Sequence, residues 1–190
     1  EVLAEIAALR AVADDTAAAA HGAEPRLLLG APDAAARAFR DWADPAPDGV
    51  IEDDDAFERL GLWDAIAGLE RPRVALPSGG FMLIEATRAM VGVDVNTGDN
   101  FGKGAAAAVN LAACPELMRQ LRLRGLGGAV IVDFAPVRKG ARQGIDKALK
   151  QAAAADPVET QLGGWTPMGR FEMTRKRERR PLAEVIDAHR

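Results

Sequence analysis

Hydrophobic and polar positions alternate most sharply from Met90 to Val95, where Val91, Val93 and Val95 fall on one side of a strand and Gly92, Asp94 and Asn96 on the other. A second short apolar run, Ala129 to Val132, predicts a buried strand that ends on Asp133. Between the two, Ala105 to Leu123 has helical spacing, with Ala113, Leu117 and Leu121 as an inward stripe. Pro115 predicts a kink or a restart in that helix, and Gly125, Gly127 and Gly128 predict its tight end. Upstream, Arg73 to Leu76 and Phe81 to Glu85 predict a hairpin around Pro77-Ser78-Gly79-Gly80, which Met90 to Val95 extends into a meander.

The flanking segments are read the same way. Val2, Leu3, Ile6, Leu9 and Val12 predict a first helix whose role is packing, and Arg26-Leu27-Leu28-Leu29-Gly30 predicts a buried strand. Asp33 is placed to cap a helix through Phe39 and Trp42, which would complete half of a βαβ unit. Pro45, Pro47 and Gly49 open an acidic loop, after which Asp54 or Asp55 caps a helix carrying Phe57, Leu60, Leu62, Ile66 and Leu69. Downstream come a basic helix from Arg138 through Lys150, a strand from Val158 to Leu162, a Gly-Gly-Trp turn and a strand-like alternation from Gly169 to Arg177. Pro181 ends that strand, and a short helix runs towards Arg190. The fold class expected is α/β, a mixed sheet with flanking helices.

Composition changes this picture in one respect. At 190 residues and 48% apolar content the chain can bury a real core, but its formal net charge of −4 hides a segregation. Residues 1–70 carry 16 Asp/Glu against 5 Lys/Arg, while residues 71–190 carry 12 against 19, so a domain boundary is expected near Arg71. A basic segment suits a polyanionic partner or forms a solvated surface, and charge alone favours neither. No run of 18 apolar residues predicts a membrane span, and no signal segment opens the chain, so the cytoplasm is the expected compartment. Glu1 is not an initiator methionine, and a piece of a longer protein is expected. Cys114, the single cysteine, can form neither an internal disulfide nor a cysteine-based zinc site and reads as a core residue. The Glu52–Asp55 run lacks the alternation and glycine of a calcium loop, and Gly79-Gly80 lacks the context of a P-loop or a dinucleotide fingerprint.

Two aspartates at strand ends, Asp94 and Asp133, have two readings. Together they could build a magnesium site for phosphate chemistry, with Asn96 on the same side as Asp94 to orient it. Separately, each could cap a strand or a helix. Arg122 and Arg124 at the end of the main helix, and Arg138, Lys139 and Arg142 in the basic helix, are candidate phosphate contacts by charge. The arginines of the Gly169–Arg177 segment, Arg170, Arg175 and Arg177, either bind phosphate or protect a solvated edge strand.

LPSGGFMLIEATRAMVGVDVNTG, followed by QLRLRGLGGAVIVDF and GRFEMTRKR, closely resembles the catalytic core of the ribonuclease E/G family of bacterial single-strand endoribonucleases. The resemblance runs from about Arg73 to about Arg177 and implies a DNase I-like catalytic subdomain over residues 71–190, preceded by an RNase H-like portion over residues 1–70. It further implies that Asp94, in the D-x-N motif, and Asp133, ending the V-I-V-D-F strand, hold Mg²⁺ while Asn96 supports the first aspartate. The implied reaction is hydrolysis of single-stranded RNA to 5′-phosphate and 3′-hydroxyl ends, in RNA processing and decay. Three features depart from the family pattern. Asn110-Leu111-Ala112-Ala113 has alanine in place of the glutamate of an N-x-E-A element, and the loop before it is about four residues shorter. The C-P-x-C zinc link of family dimers is absent, which leaves homo-oligomerisation open without that link. These departures, together with the expected absence from this segment of the upstream OB-type RNA-binding domain and 5′-end sensor of full-length members, keep an alternative in view, a catalytically weak or inactive RNA-binding scaffold that retains the fold.

Overall fold

The computed structural model describes residues 2–21, 24–42, 47–77 and 79–187, so Pro45, Ser78 and residues 188–190 of the predicted segments lie outside the described residues. The chain divides into two compact units, Glu1–Asp53 and Asp54–Arg190. The division precedes the change of charge at Arg71, and residues 54–70 fold with the second unit.

In the first unit, α1 (Val2–Ala19) and α2 (Ala34–Trp42) form where the spacing predicts them. Asp33 caps α2, its Oδ1 accepting from the Ala36 amide at 2.7 Å. Two expectations fail. Leu3, Ile6, Leu9 and Val12 of α1 are exposed rather than packed. Leu27, Leu28 and Leu29 form no strand and are also exposed, so no half βαβ unit is built. An apolar run becomes a strand only where another strand offers hydrogen-bonding partners, and the described residues of this unit contain none.

The second unit is a sheet covered by helices. The helix expected over Phe57 to Leu69 is two, α3 (Ala56–Arg59) and α4 (Leu62–Leu69), separated by Gly61 with φ of 64°. Asp55 holds the N-cap position of α3 without a side-chain cap bond, and lies 3.9 Å from Arg59 instead. Six strands follow: β1 (Arg73–Ala75), β2 (Phe81–Ala86), β3 (Met90–Asn96), β4 (Gly128–Asp133), β5 (Thr160–Trp165) and β6 (Phe171–Arg175). Their order is β1-β2-β3-β4-β6-β5, with β3 and β4 parallel and every other pair antiparallel. The Gly163-Gly164-Trp165 segment, expected as a turn, lies inside β5, where the register shifts between Leu162 and Gly164. β6 is not an edge strand, because it sits between β4 and β5.

A parallel pair needs a crossover, and α5 (Ala105–Leu123) supplies it. α5 runs through Pro115 without a restart, and Leu111, whose carbonyl loses its partner there, is on the exposed side of the helix. α6 (Lys139–Ala155) joins β4 to β5, and α7 (Leu182–Asp187) ends the described chain. One core unites Val91, Val93, Val95, Val130 and Val132 with Ala113, Leu117 and Leu121 of α5 and Ile145 and Leu149 of α6. The period-two alternation therefore turns Asp94 and Asp133 away from this helical layer.

Cys114 is fully buried in this core, and burial pushes its thiol up to about 12. Only the thiolate is nucleophilic, so alkylation by iodoacetamide at mildly alkaline pH should be on the order of 10³-fold slower in the native chain than in urea. Comparable rates in the two conditions, measured by mass spectrometry, would contradict this packing.

Candidate metal centre

Asp94 and Asp133 are partners in the parallel register of β3 and β4. Their α-carbons are therefore about 5 Å apart with both side chains on one face. Neither carboxylate is buried, while Val93, Val95 and Val132 beside them are core residues. Asn96 donates from Nδ2 to Asp94 Oδ2 at 2.8 Å, which fixes one carboxylate oxygen and leaves Oδ1 without a hydrogen bond among the described residues. Gly80 makes this corner possible, because a β-carbon there would collide with the Asn96 carbonyl and with Val109. The Gly-Gly turn thus serves close backbone approach.

The chain beyond Asp133 is tied down from below. Asn110 of α5 is fully buried, donating from Nδ2 to the Ala135 carbonyl at 2.8 Å and accepting the Ala135 amide on Oδ1 at 3.0 Å. Phe134 packs on Trp165 and Phe171 with ring centroids 5.6 and 6.4 Å away, so the end of β4 shares an aromatic cluster with β5 and β6. Asn110 is a positioning residue that motif reading registers only as part of a departure. A buried asparagine on the inner face of a helix is the signal that marks it.

Arg170, one of the arginines of the Gly169–Arg177 segment, is the cation that pairs with the aspartates among the described residues, its Nη2 3.6 Å from Asp133 Oδ2. Both side chains are about half exposed, so their attraction is screened to about 1 kcal/mol or less. Its importance is position. Arg142 lies 4.3 Å over the Trp165 ring, with a buried Nε that has no hydrogen-bond partner among the described residues, and its Nη2 reaches towards Gly169 beside Arg170. Arg138, the N-cap residue of α6, and Lys139 are exposed and close in sequence to Asp133.

Four other candidate arginines do not join this group. Arg175 is 2% exposed, pairing through Nη2 with Asp156 Oδ1 at 2.8 Å and donating from Nη1 to Thr160 Oγ1 at 3.0 Å. Arg122 grips the other Asp156 oxygen at 2.6 Å. Arg124 is buried against Gln120, and Arg177 lies over Gly128. Arg175 pairs in register with Gly128, at the opposite end of β4 from Asp133. Arg122 and Arg175 turn inward because a guanidinium with a carboxylate partner can be internal, and Asp156, which supplies that partner, is distant in sequence from both.

A family model described as the Ribonuclease E/G family matches residues 48–178. The chain is 41% identical over 123 residues to Ribonuclease G of Salmonella typhimurium (strain SL1344), covering 62% of this chain and 25% of that protein. It is 37% identical over 137 residues to Ribonuclease E of Nostoc sp. (strain PCC 7120 / SAG 25.82 / UTEX 2576), covering 68% and 20%. It is 35% identical over 137 residues to the chloroplastic Ribonuclease E/G-like protein of Arabidopsis thaliana, covering 68% and 14%. With parallel-paired aspartates on a mixed sheet and a match over most of its length, the chain belongs to the ribonuclease E/G family. It spans about a quarter of the length of the Ribonuclease G relatives it matches.

The internal network makes its own prediction. Asp156→Ala leaves Arg175 buried without its counter-charge and should lower stability by about 3–5 kcal/mol, read as a shift in the urea midpoint. A loss under about 1 kcal/mol would mean that Arg175 reaches water.

Proposed function

We propose that this chain is the core of a Mg²⁺-dependent endoribonuclease that hydrolyses single-stranded RNA to 5′-phosphate and 3′-hydroxyl ends in the cytoplasm. The observation that carries the reading is the register pairing of Asp94 with Asp133 in a member of the ribonuclease E/G family. Relatives named Ribonuclease G and Ribonuclease E support the substrate class. No helix among the described residues is long and apolar enough to cross a membrane.

The donor set fits magnesium. Both groups are hard oxygen ligands, and no third His, Cys, Asp or Glu joins them among the described residues. Magnesium characteristically takes one or two carboxylates and completes its shell with water and substrate phosphate oxygens. Bound by Asp94 and Asp133, it would supply an activated water and offset charge on the phosphodiester oxygens. The chain's own residues do the rest. Asn96 holds Asp94 in one orientation, and Asn110 holds the backbone beyond Asp133. Arg170 sets a guanidinium beside the site, where it can meet a phosphate oxygen, and Arg142, Arg138 and Lys139 add positive charge at the N-terminal end of α6. Cys114 is buried, so it offers no surface thiol for a zinc link between copies.

One observation favours a second reading, a binding scaffold without cleavage: Ala112 places a methyl group where the family pattern has a carboxylate. The test uses the longest natural chain that contains this segment, a 5′-monophosphorylated A/U-rich single strand and Mg²⁺. Asp94→Asn and Asp133→Asn should each lower the cleavage rate by about 10²-fold or more, and Asn96→Ala by about 10- to 100-fold as the loss of a ligand-orienting group. Cleavage unchanged by both aspartate substitutions would sink the site. Tight binding with no cleavage by the unaltered protein would favour the scaffold.

A further inference from the structure

A second group of cations lies at the end of the sheet away from the aspartates. β3 and β4 both begin there, roughly 13 Å along the strands from Asp94 and Asp133. A cleft of about 780 Å³ opens between this end, the glycine turn after α5 and the start of α7. Arg88, Arg124, Arg177 and Arg179 line it, with Glu70 and Glu184.

Arg124 is the unusual member. It is 7% exposed, and its one side-chain hydrogen bond among the described residues runs from Nε to Gln120 Oε1 at 3.0 Å. No carboxylate pairs with it among the described residues, and desolvation holds its pKa below the ordinary arginine value. Arg175 shows what the same chain does with a structural guanidinium, surrounding it with Asp156, Thr160 and Met118. A cation removed from water without a counter-charge is costly unless an anion arrives to pair with it.

Two of the exposed arginines, Arg177 and Arg88, are placed by the segments they sit on. Arg177 lies over Gly128, where a β-carbon would come 2.6 Å from its Nη2, and its Nε donates to the Gly127 carbonyl at 3.4 Å. Arg88 sits in the β2–β3 turn, which Thr87 closes through bonds to the Met90 carbonyl at 2.9 Å and from the Met90 amide at 3.1 Å. Neither side chain has a carboxylate partner among the described residues. Glu70 and Glu184 limit the surplus of positive charge, which suits one phosphate group better than a long run of them.

We propose that this cleft binds a phosphate group, independently of the aspartate site, with buried Arg124 and exposed Arg88 and Arg177 as its donors. A single-stranded RNA bound at a distance from the cleaved bond and a free phosphate compound present the same chemistry. The RNA source rests on the ribonuclease reading; the anion site does not.

The test compares the full chain with its Arg88→Ser/Arg177→Gln variant, whose fold is checked by circular dichroism. In one arm, anisotropy of a short labelled RNA is measured in EDTA across a salt series. In the other, thermal melts are recorded with inorganic phosphate or AMP against chloride. Binding of RNA in the cleft should appear as severalfold weaker affinity in the variant and a salt slope smaller by about 0.7, the value for one lost single-strand phosphate contact. A small phosphate compound as the ligand should instead raise the melting temperature of the unaltered chain and not that of the variant. Arg124→Met, where it folds, should behave like the pair. A folded variant that matches the parent in both arms overturns the proposal. Asp94→Asn run alongside should lose cleavage and keep the parent's salt slope, so failure at the aspartates and failure at the cleft are read separately.

Discussion

Everything at the candidate centre depends on the parallel pairing of β3 with β4. Antiparallel neighbours would put the ends of two such strands at opposite edges, whereas the parallel pair puts Asp94 and Asp133 side by side. The pairing is imposed by α5, whose inner face packs on Val91, Val93, Val95, Val130 and Val132. A slip of one residue would drive the aspartates into that core and the valines into water, so hydrophobic burial and site geometry hold the same register. Asn110 extends the coupling, because the helix that buries the valines also clamps the backbone just past Asp133.

The positive charge of residues 71–190 serves at least two ends. Asp156 neutralises Arg175 in the interior and Arg122 at its margin, joining β6, α5 and the segment that leads into β5. That triad binds elements together. What remains at the aspartate end is smaller and more local: Arg170, Arg142, Arg138 and Lys139, placed by the β5–β6 connection and by α6. At the other end of the strands, Arg124 is buried and among the described residues lacks the carboxylate that makes Arg175 structural. Similar arginines in one sheet unit thus have different roles, set by whether an acid folds next to them.

The sequence by itself determined the local elements of the sheet unit and the pair of aspartates. Alternation in Met90–Asn96, the apolar run before Asp133 and the helical stripe of Ala113, Leu117 and Leu121 all reappear as read, because each is a property of neighbouring residues. Motifs carried further than charge: DVN and VIVDF locate Asp94, Asn96 and Asp133, which the fold brings together. Where a segment's state depends on residues far along the chain, local reading failed. Leu27–Leu29 is apolar enough for a strand, but the described residues of its unit offer no strand to pair with, and Gly163-Gly164-Trp165 resembles a turn until β6 aligns beside it. Only the tertiary structure decided which arginines are internal, that Arg170 stands beside Asp133, and that Asn110 secures the strand end. A side chain's burial and its counter-charge are set by contacts across many residues of chain, and those contacts exist only once the sheet and its crossover helix have formed.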